Sequence, residues 1–230
     1  MHKDQLIAGH VMKVANSVAY SGAAQIVSLE QASARLGSKL LAEITLSVSM
    51  KSDVFIVADF KKLIKRLWDL SLVGSIYAKN IANIASLDTG MIYTSALLHS
   101  VGMPVVLQSI AEINLRLKNQ LDEDSVSMLI EEFHSAFTKF IIEKWELPEI
   151  VKSSVMNYLN YENINDFQKE CAAIFLSSRF AEWMYSPEKV NLNSFVNSPA
   201  SKILNLKPSD IDGLIEQKDK ISEMVASTQF

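Results

Sequence analysis

The sequence predicts an all-α protein of about ten helices, and three observations carry that prediction. Apolar residues recur at three- and four-residue spacings from one end of the chain to the other. Glycine and proline are sparse, 7 and 5 in 230 residues, while Leu, Ile, Ala, Ser, Lys and Glu dominate, a balance that favours helix over strand. Residues suited to starting helices, among them Ser28, Pro104, Asp122, Pro148 and Pro208, stand at the heads of the apolar runs.

Taken in order, the first helix spans about Asp4 to Ser17, with Asp4 as N-cap and Leu6, Ile7, Val11 and Val14 on one face. The second starts at Ser28, with Gln31 completing a capping box, and ends at Gly37, a residue free to turn left-handed. Ser38 caps a third, running to about Met50. Lys51-Ser52-Asp53 interrupts the pattern and marks a lobe boundary, giving a small N-terminal helical lobe over 1–53 and a larger helical bundle over 54–230. A long helix over about Asp59–Ala85 follows, then one from Asp88 to Ser100. Pro104 suits the first turn of the next, which continues to about Lys118. The acidic Asp122-Glu123-Asp124 favours the positive end of a helix reaching Trp145. Pro148 opens a helix to about Asn160. The remaining segments are about Asp166–Tyr185, a short piece near Phe195–Leu204, and Pro208 to about Ala226.

Composition narrows the function classes. With 49% apolar and 21% charged residues, the chain has the make-up of an ordinary globular protein. A net charge of -4 argues against bulk attraction to nucleic acid. One cysteine, Cys171, excludes an internal disulfide framework and fits a reducing cytoplasm; it lies in an apolar run and reads as a small buried hydrophobe. No uninterrupted apolar stretch approaches about 18 residues, so no membrane span is expected. The N-terminus lacks the order of a secretory signal and enters an amphipathic helix almost at once, which suggests an upstream portion that is missing or dispensable.

Several separated motifs then stand in one order. Val14-Ala15-Asn16-Ser17 is followed by Tyr20. Ile26-Val27-Ser28-Leu29-Glu30-Gln31-Ala32 closes at Leu36-Gly37. Trp68-Asp69-Leu70-Ser71 precedes Thr94-Ser95-Ala96-Leu97-Leu98-His99-Ser100-Val101-Gly102. His134 comes before Trp145-Glu146-Leu147-Pro148. This succession resembles the HD-related output domain (HDOD) family, a degenerate relative of the HD phosphohydrolases, over about residues 4–160. The corner at Trp145–Pro148 resembles the family's Trp-Gly-Leu-Pro. The family carries a further helical segment ahead of the first match.

The resemblance implies an HD-like bundle and says where metal ligands would stand in a catalytic relative. The first His falls on Leu70, the adjacent His-Asp pair on His99 and Ser100, a later His on His134, and a His-His near Tyr158 and Leu159. A hydroxyl is a poor ligand for a hard dication, and metal-assisted hydrolysis needs about three firm protein ligands and an open position for water. Two imidazoles are too few. The pocket therefore reads as vestigial, with no metal, no cofactor and no catalytic residue expected. Two buried histidines bonded to backbone or hydroxyl groups are the simpler account of His99 and His134; the alternative is a shared metal with a carboxylate such as Glu131.

Other features yield less. Ser28–Ser49 has a superficial helix-turn-helix outline, but its second helix offers Lys39 and Glu43 amid apolar residues, so DNA binding is not expected. Lys61, Lys62, Lys65 and Arg66 form the basic cluster, read as a solvated face that could alternatively dock an acidic partner or nucleotide phosphates. No phosphate loop, zinc-type cysteine pair or nucleophile elbow occurs. The expectation is a non-catalytic bacterial signalling module, cytoplasmic, working through a protein partner or a small nucleotide. The alternative is a metal-dependent phosphohydrolase with a displaced ligand set.

Overall fold

The computed structural model describes residues 3–17, 24–38, 41, 60–117 and 121–227. All regular structure among them is helical, as the periodicity predicts. The chain divides into two compact units. The first comprises Met1–Trp68 with Leu98–Leu147, the second Asp69–Leu97 with Pro148–Phe230. The boundary predicted at Lys51–Asp53, the third helix and Tyr20 lie outside the described residues.

In the first unit, α1 (Lys3–Ala15) starts one residue before Asp4, which therefore sits inside the first turn rather than capping it. Its buried stripe is Gln5, Ala8, Val11, Met12 and Ala15. Leu6, Ile7 and Val14, expected inside, are only half-buried. Gly9 lies against the Trp145 ring, where a side chain would not fit, and this contact fixes which face of the helix turns inward. Asn16 ends α1 and binds the next segment. Its Oδ1 accepts from Ile26 N at 2.9 Å, and its Nδ2 donates to Ile26 O at 2.9 Å. A side-chain amide thus supplies the pairing that a neighbouring strand would otherwise give.

Helix α2 (29–38) is capped by Ser28 as predicted, while Gln31 reaches one residue beyond the capping-box position. Ser28 Oγ accepts from Gln31 N at 3.2 Å, and Gln31 Oε1 reaches back to accept from Val27 N at 3.0 Å. Gly37 takes φ +73°, the left-handed turn foreseen for it. Helix α5 (Gly102–Leu117) packs on α6 (Glu123–Lys144). Phe60, Val106, Leu107, Ile110, Val126 and Ile130 form their core. Asp122 caps α6, its Oδ1 accepting from Ser125 N at 2.7 Å.

The division between units falls within two helices, α3 (Lys61–Ile84) and α4 (Thr89–Leu98). Asp88 starts α4 by accepting from Met91 N at 2.8 Å.

The second unit is organised on α8 (Gln168–Tyr185), which packs against α7 (Glu149–Asn157), the 3-10 helix Tyr158–Asn163 and α10 (Pro199–Ile203). Its aromatic core stacks Tyr77, Phe180 and Phe195, with centroid separations of 4.9 and 4.1 Å, and sets Trp183 edge-on to both phenylalanines. Cys171 is buried here and its thiol is pushed up to about 12 by burial, in keeping with a packing role.

Two predicted helices are broken. The segment 195–204 splits into α9 (Asn193–Asn197) and α10 because Ser198 caps anew and Pro199 opens the second helix. Pro208–Ala226 divides at Gln217 into α11 (Pro208–Glu216) and α12 (Lys218–Ser227).

The run Thr89–Arg116 is long and apolar enough to cross a membrane by composition alone, but most of it is buried inside the protein. The turn at His99–Val101 interrupts it. Its apolarity is that of core helices α4 and α5.

Candidate functional site

The segment that resembles the metal-binding helix ends in that turn. Helix α4 stops at Leu98, and the chain is redirected at His99-Ser100-Val101, where Val101 N donates to Leu98 O at 3.1 Å and Met103 N to Ser100 O at 2.9 Å. Everything here is enclosed: Thr94, Ser95, His99 and Ser100 are buried polar residues. Buried polar groups need partners. Ser100 Oγ accepts from Gln5 Nε2 of α1 at 3.2 Å. Where a catalytic relative would carry a carboxylate, this chain carries a hydroxyl bonded to a neighbouring helix.

Gly102 follows, and its lack of a side chain is a requirement. A Cβ at this position would overlap the His134 carbonyl and the Thr138 side chain of α6. Gly102 N donates to Thr138 Oγ1 at 3.0 Å, which fastens the turn to α6. His134 is therefore held beside this turn through its backbone. Its side chain is buried, and Nδ1 has no hydrogen-bond partner among the described residues. Burial holds the imidazole below its ordinary pKa, with the Glu131 charge opposing the shift, so the ring is neutral at pH 7.

The structure thus brings Ser100 to Gln5, and the Gly102 turn to His134. Gln5 and Thr138 escaped the sequence reading. The signal for Gln5 was a polar residue in register with Ala8 and Met12, spaced for the inner face of α1. The other predicted positions fall in the second unit: Leu70 is half-buried, Tyr158 is buried, and Leu159 is 59% exposed. An exposed Leu and a buried Tyr whose phenol is pushed up to about 12 by burial are unsuited to hold a dication. Among the described residues, no three His, Cys, Asp or Glu side chains cluster as a metal would need. Of the six positions the resemblance implies, only His99 and His134 carry an imidazole.

The basic cluster lies at the start of α3, with Lys62, Lys65 and Arg66 exposed; the Lys61 side chain lies outside the described residues. Trp68 beside it is buried. The signature residues have structural duties. Asn16 clamps Ile26, and Ser17 Oγ donates to Val14 O at 2.8 Å. The Trp145 indole covers Gly9 and meets His10 edge-on at 6.1 Å. Glu146 adopts φ +52°, where the family's corner has glycine, and Pro148 leads into α7.

Solved structures share this architecture. The MmoQ response regulator of Methylococcus capsulatus str. Bath matches with a TM-score of 0.65 at 16% identity, over 93% of this chain and 85% of that one. A protein of Shewanella amazonensis SB2B named as a candidate metal-dependent phosphohydrolase matches with a TM-score of 0.58 at 17% identity, over 95% and 80%. An HDOD domain protein of unknown function from Geobacter sulfurreducens matches with 0.55 at 20% identity, over 97% and 81%. Identities this low show the fold alone. No curated protein matches significantly. A family model described as HDOD domain matches residues 1–160, which takes in the Asn16 clamp, the His99 turn and the Trp145 corner; the chain belongs to the HDOD domain family.

Proposed function

We propose that this chain is a non-catalytic regulatory module of bacterial signal transduction, working in the cytoplasm by binding a protein partner or a small ligand. The observation that supports this most is the fate of the Ser100 position. Its hydroxyl is buried and bonded to Gln5, a structural use of a place that catalysis would reserve for a charged ligand. Leu70, Tyr158 and Leu159 supply no metal donor of the required kind either. A module of this sort acts by preferring a partner in one of its conformations, which shifts the population. The exposed Lys62, Lys65 and Arg66 suit an acidic partner surface or nucleotide phosphates.

One observation favours a second reading, a phosphohydrolase with a displaced ligand set. Among the described residues the buried, neutral His134 has an Nδ1 without a partner, and an imidazole in that state can ligate a metal. Hydrolysis of phosphomonoesters and cyclic dinucleotides, assayed with Mn, Fe, Zn and Mg, separates the two. The regulatory reading expects no turnover above that of the His99→Ala and His134→Ala variants. Metal-dependent turnover abolished by both substitutions would establish the hydrolase.

A further inference from the structure

Helix α6 carries apolar residues on two sides. Val126, Ile130, His134, Thr138 and Ile142 recur every fourth residue on its buried face. On an outward flank Phe133, Ala136 and Phe140 recur at spacings of three and four, and all three are exposed. The two phenylalanines are 47% and 59% exposed. Scattered exposed apolar residues are ordinary; here two aromatic rings share one helical stripe, and Lys144 Nζ lies 5.7 Å over the Phe140 ring.

The charges beside this stripe indicate what covers it. Glu132 and Lys139 are exposed on the same flank, one before Ala136 and one after it. Consider a second α6 laid antiparallel on the first, with a two-fold axis close to Ala136. Phe133 of each copy then meets Phe140 of the other, and Glu132 of each meets Lys139 of the other. Each contact occurs twice, as an isologous interface requires. Ala136 at the centre is small enough to let the helices approach to about 8–10 Å. An occupant of one charge sign fits less well, because the face presents Glu132 and Glu143 together with Lys139 and Lys144. An anionic membrane or nucleic acid would meet two carboxylates.

We infer that the outer face of α6 is the interface of a homodimer, formed by antiparallel pairing with a second copy of this chain about Ala136. It is a modest interface, held by two aromatic pairs and two exposed ion pairs, and weak, concentration-dependent association is expected for it.

Sedimentation velocity of the full chain, from about 0.5 to 200 μM, tests the pairing across a wide range of affinity. Wild type should pass from monomer to dimer. Phe140→Glu should weaken association at least about tenfold. Glu132→Lys and Lys139→Glu should each weaken it about threefold or more, and the double exchange should return it to near the wild-type value, because the reversed pair meets itself across the axis. Circular dichroism checks that each variant keeps its helix content. Ala136→Cys gives a separate readout. Treated with oxidised glutathione, it should form an interchain disulfide that wild type, with its buried Cys171, does not. A wild-type chain that stays monomeric throughout, a dimer indifferent to Phe140→Glu, a double exchange without recovery, or no cross-link at Ala136→Cys would each overturn the proposal.

Discussion

The six-membered ring of the Trp145 indole lies where a side chain on Gly9 would stand. The two residues are far apart in sequence, and their contact sets how closely α1 approaches the end of α6. Lys13 Nζ reinforces it by donating to Lys144 O at 3.3 Å. Gly9→Ala gains helix propensity of about 1 kcal/mol but forces a rigid ring or the helix to move, at about 1–3 kcal/mol or more. The balance should be destabilising. Gly213 in α11 is the control: a Cβ there meets nothing within 4 Å, so Gly213→Ala should stabilise by about 0.5–1 kcal/mol. Urea unfolding of both variants checks the contrast, and equal effects of one sign would refute it.

Glu146 stands at φ +52° immediately after the C-cap of α6. An L side chain in the left-handed region costs about 1–2 kcal/mol, part of which glycine gives back as unfolded-chain entropy. Glu146→Gly should therefore raise stability by about 0.5–1 kcal/mol, seen as a higher midpoint in urea with an unchanged slope.

Tyr77 is fully buried and stacks on Phe180, and its hydroxyl has no partner among the described residues. Burial alone drives its phenol pKa upward. Removing an unsatisfied buried hydroxyl relieves a desolvation cost of about 1 kcal/mol. Tyr77→Phe should leave thermal stability unchanged or raise it, and a clear loss would reveal a partner of that hydroxyl.

His134 makes stability depend on pH in a stated direction. Its folded-state pKa lies below the usual value of about 6.5, so over that interval the unfolded chain binds more protons. The contribution is complete above about pH 7 and is lost as the pH falls through 6.5 towards the folded value. In urea unfolding from about pH 7.5 to 5, the wild-type advantage over His134→Gln should shrink as the pH falls. Parallel profiles would mean that the buried ring titrates as it does in the unfolded chain.

These effects differ in how far the sequence announces them. Ser28 with Gln31, Gly37, Asp122 and Pro208 act through neighbours one to four residues away, and local chemistry is what a sequence displays. The break at Ser198-Pro199 was equally local, since a capping hydroxyl precedes a proline, and it was passed over because the apolar pattern runs through it. Phe167, at φ 58° before α8, is different in kind: nothing in an aromatic residue announces a left-handed turn. The inner stripe of α1 differs from the apolar pattern because the close fit of Gly9 on Trp145, a contact made only by folding, decides which face turns inward. At the candidate site, the residue types at Leu70, His99, Ser100 and His134 were legible. The bond from Gln5 to Ser100 and the fit of Gly102 on α6 were not, because each joins residues brought together only by folding.

Metal stoichiometry tests most directly the proposal that Ser100 and its surroundings serve structure in place of metal binding. Protein purified without an affinity metal column would be incubated briefly with Mn, Fe, Zn and Mg, dialysed, and measured by elemental mass spectrometry. The account predicts less than about a tenth of an equivalent of any metal, because the described residues bring no three donors together to hold one. Retention of about one or two equivalents, lost in His99→Ala, would contradict it and mean that other residues complete a working metal centre.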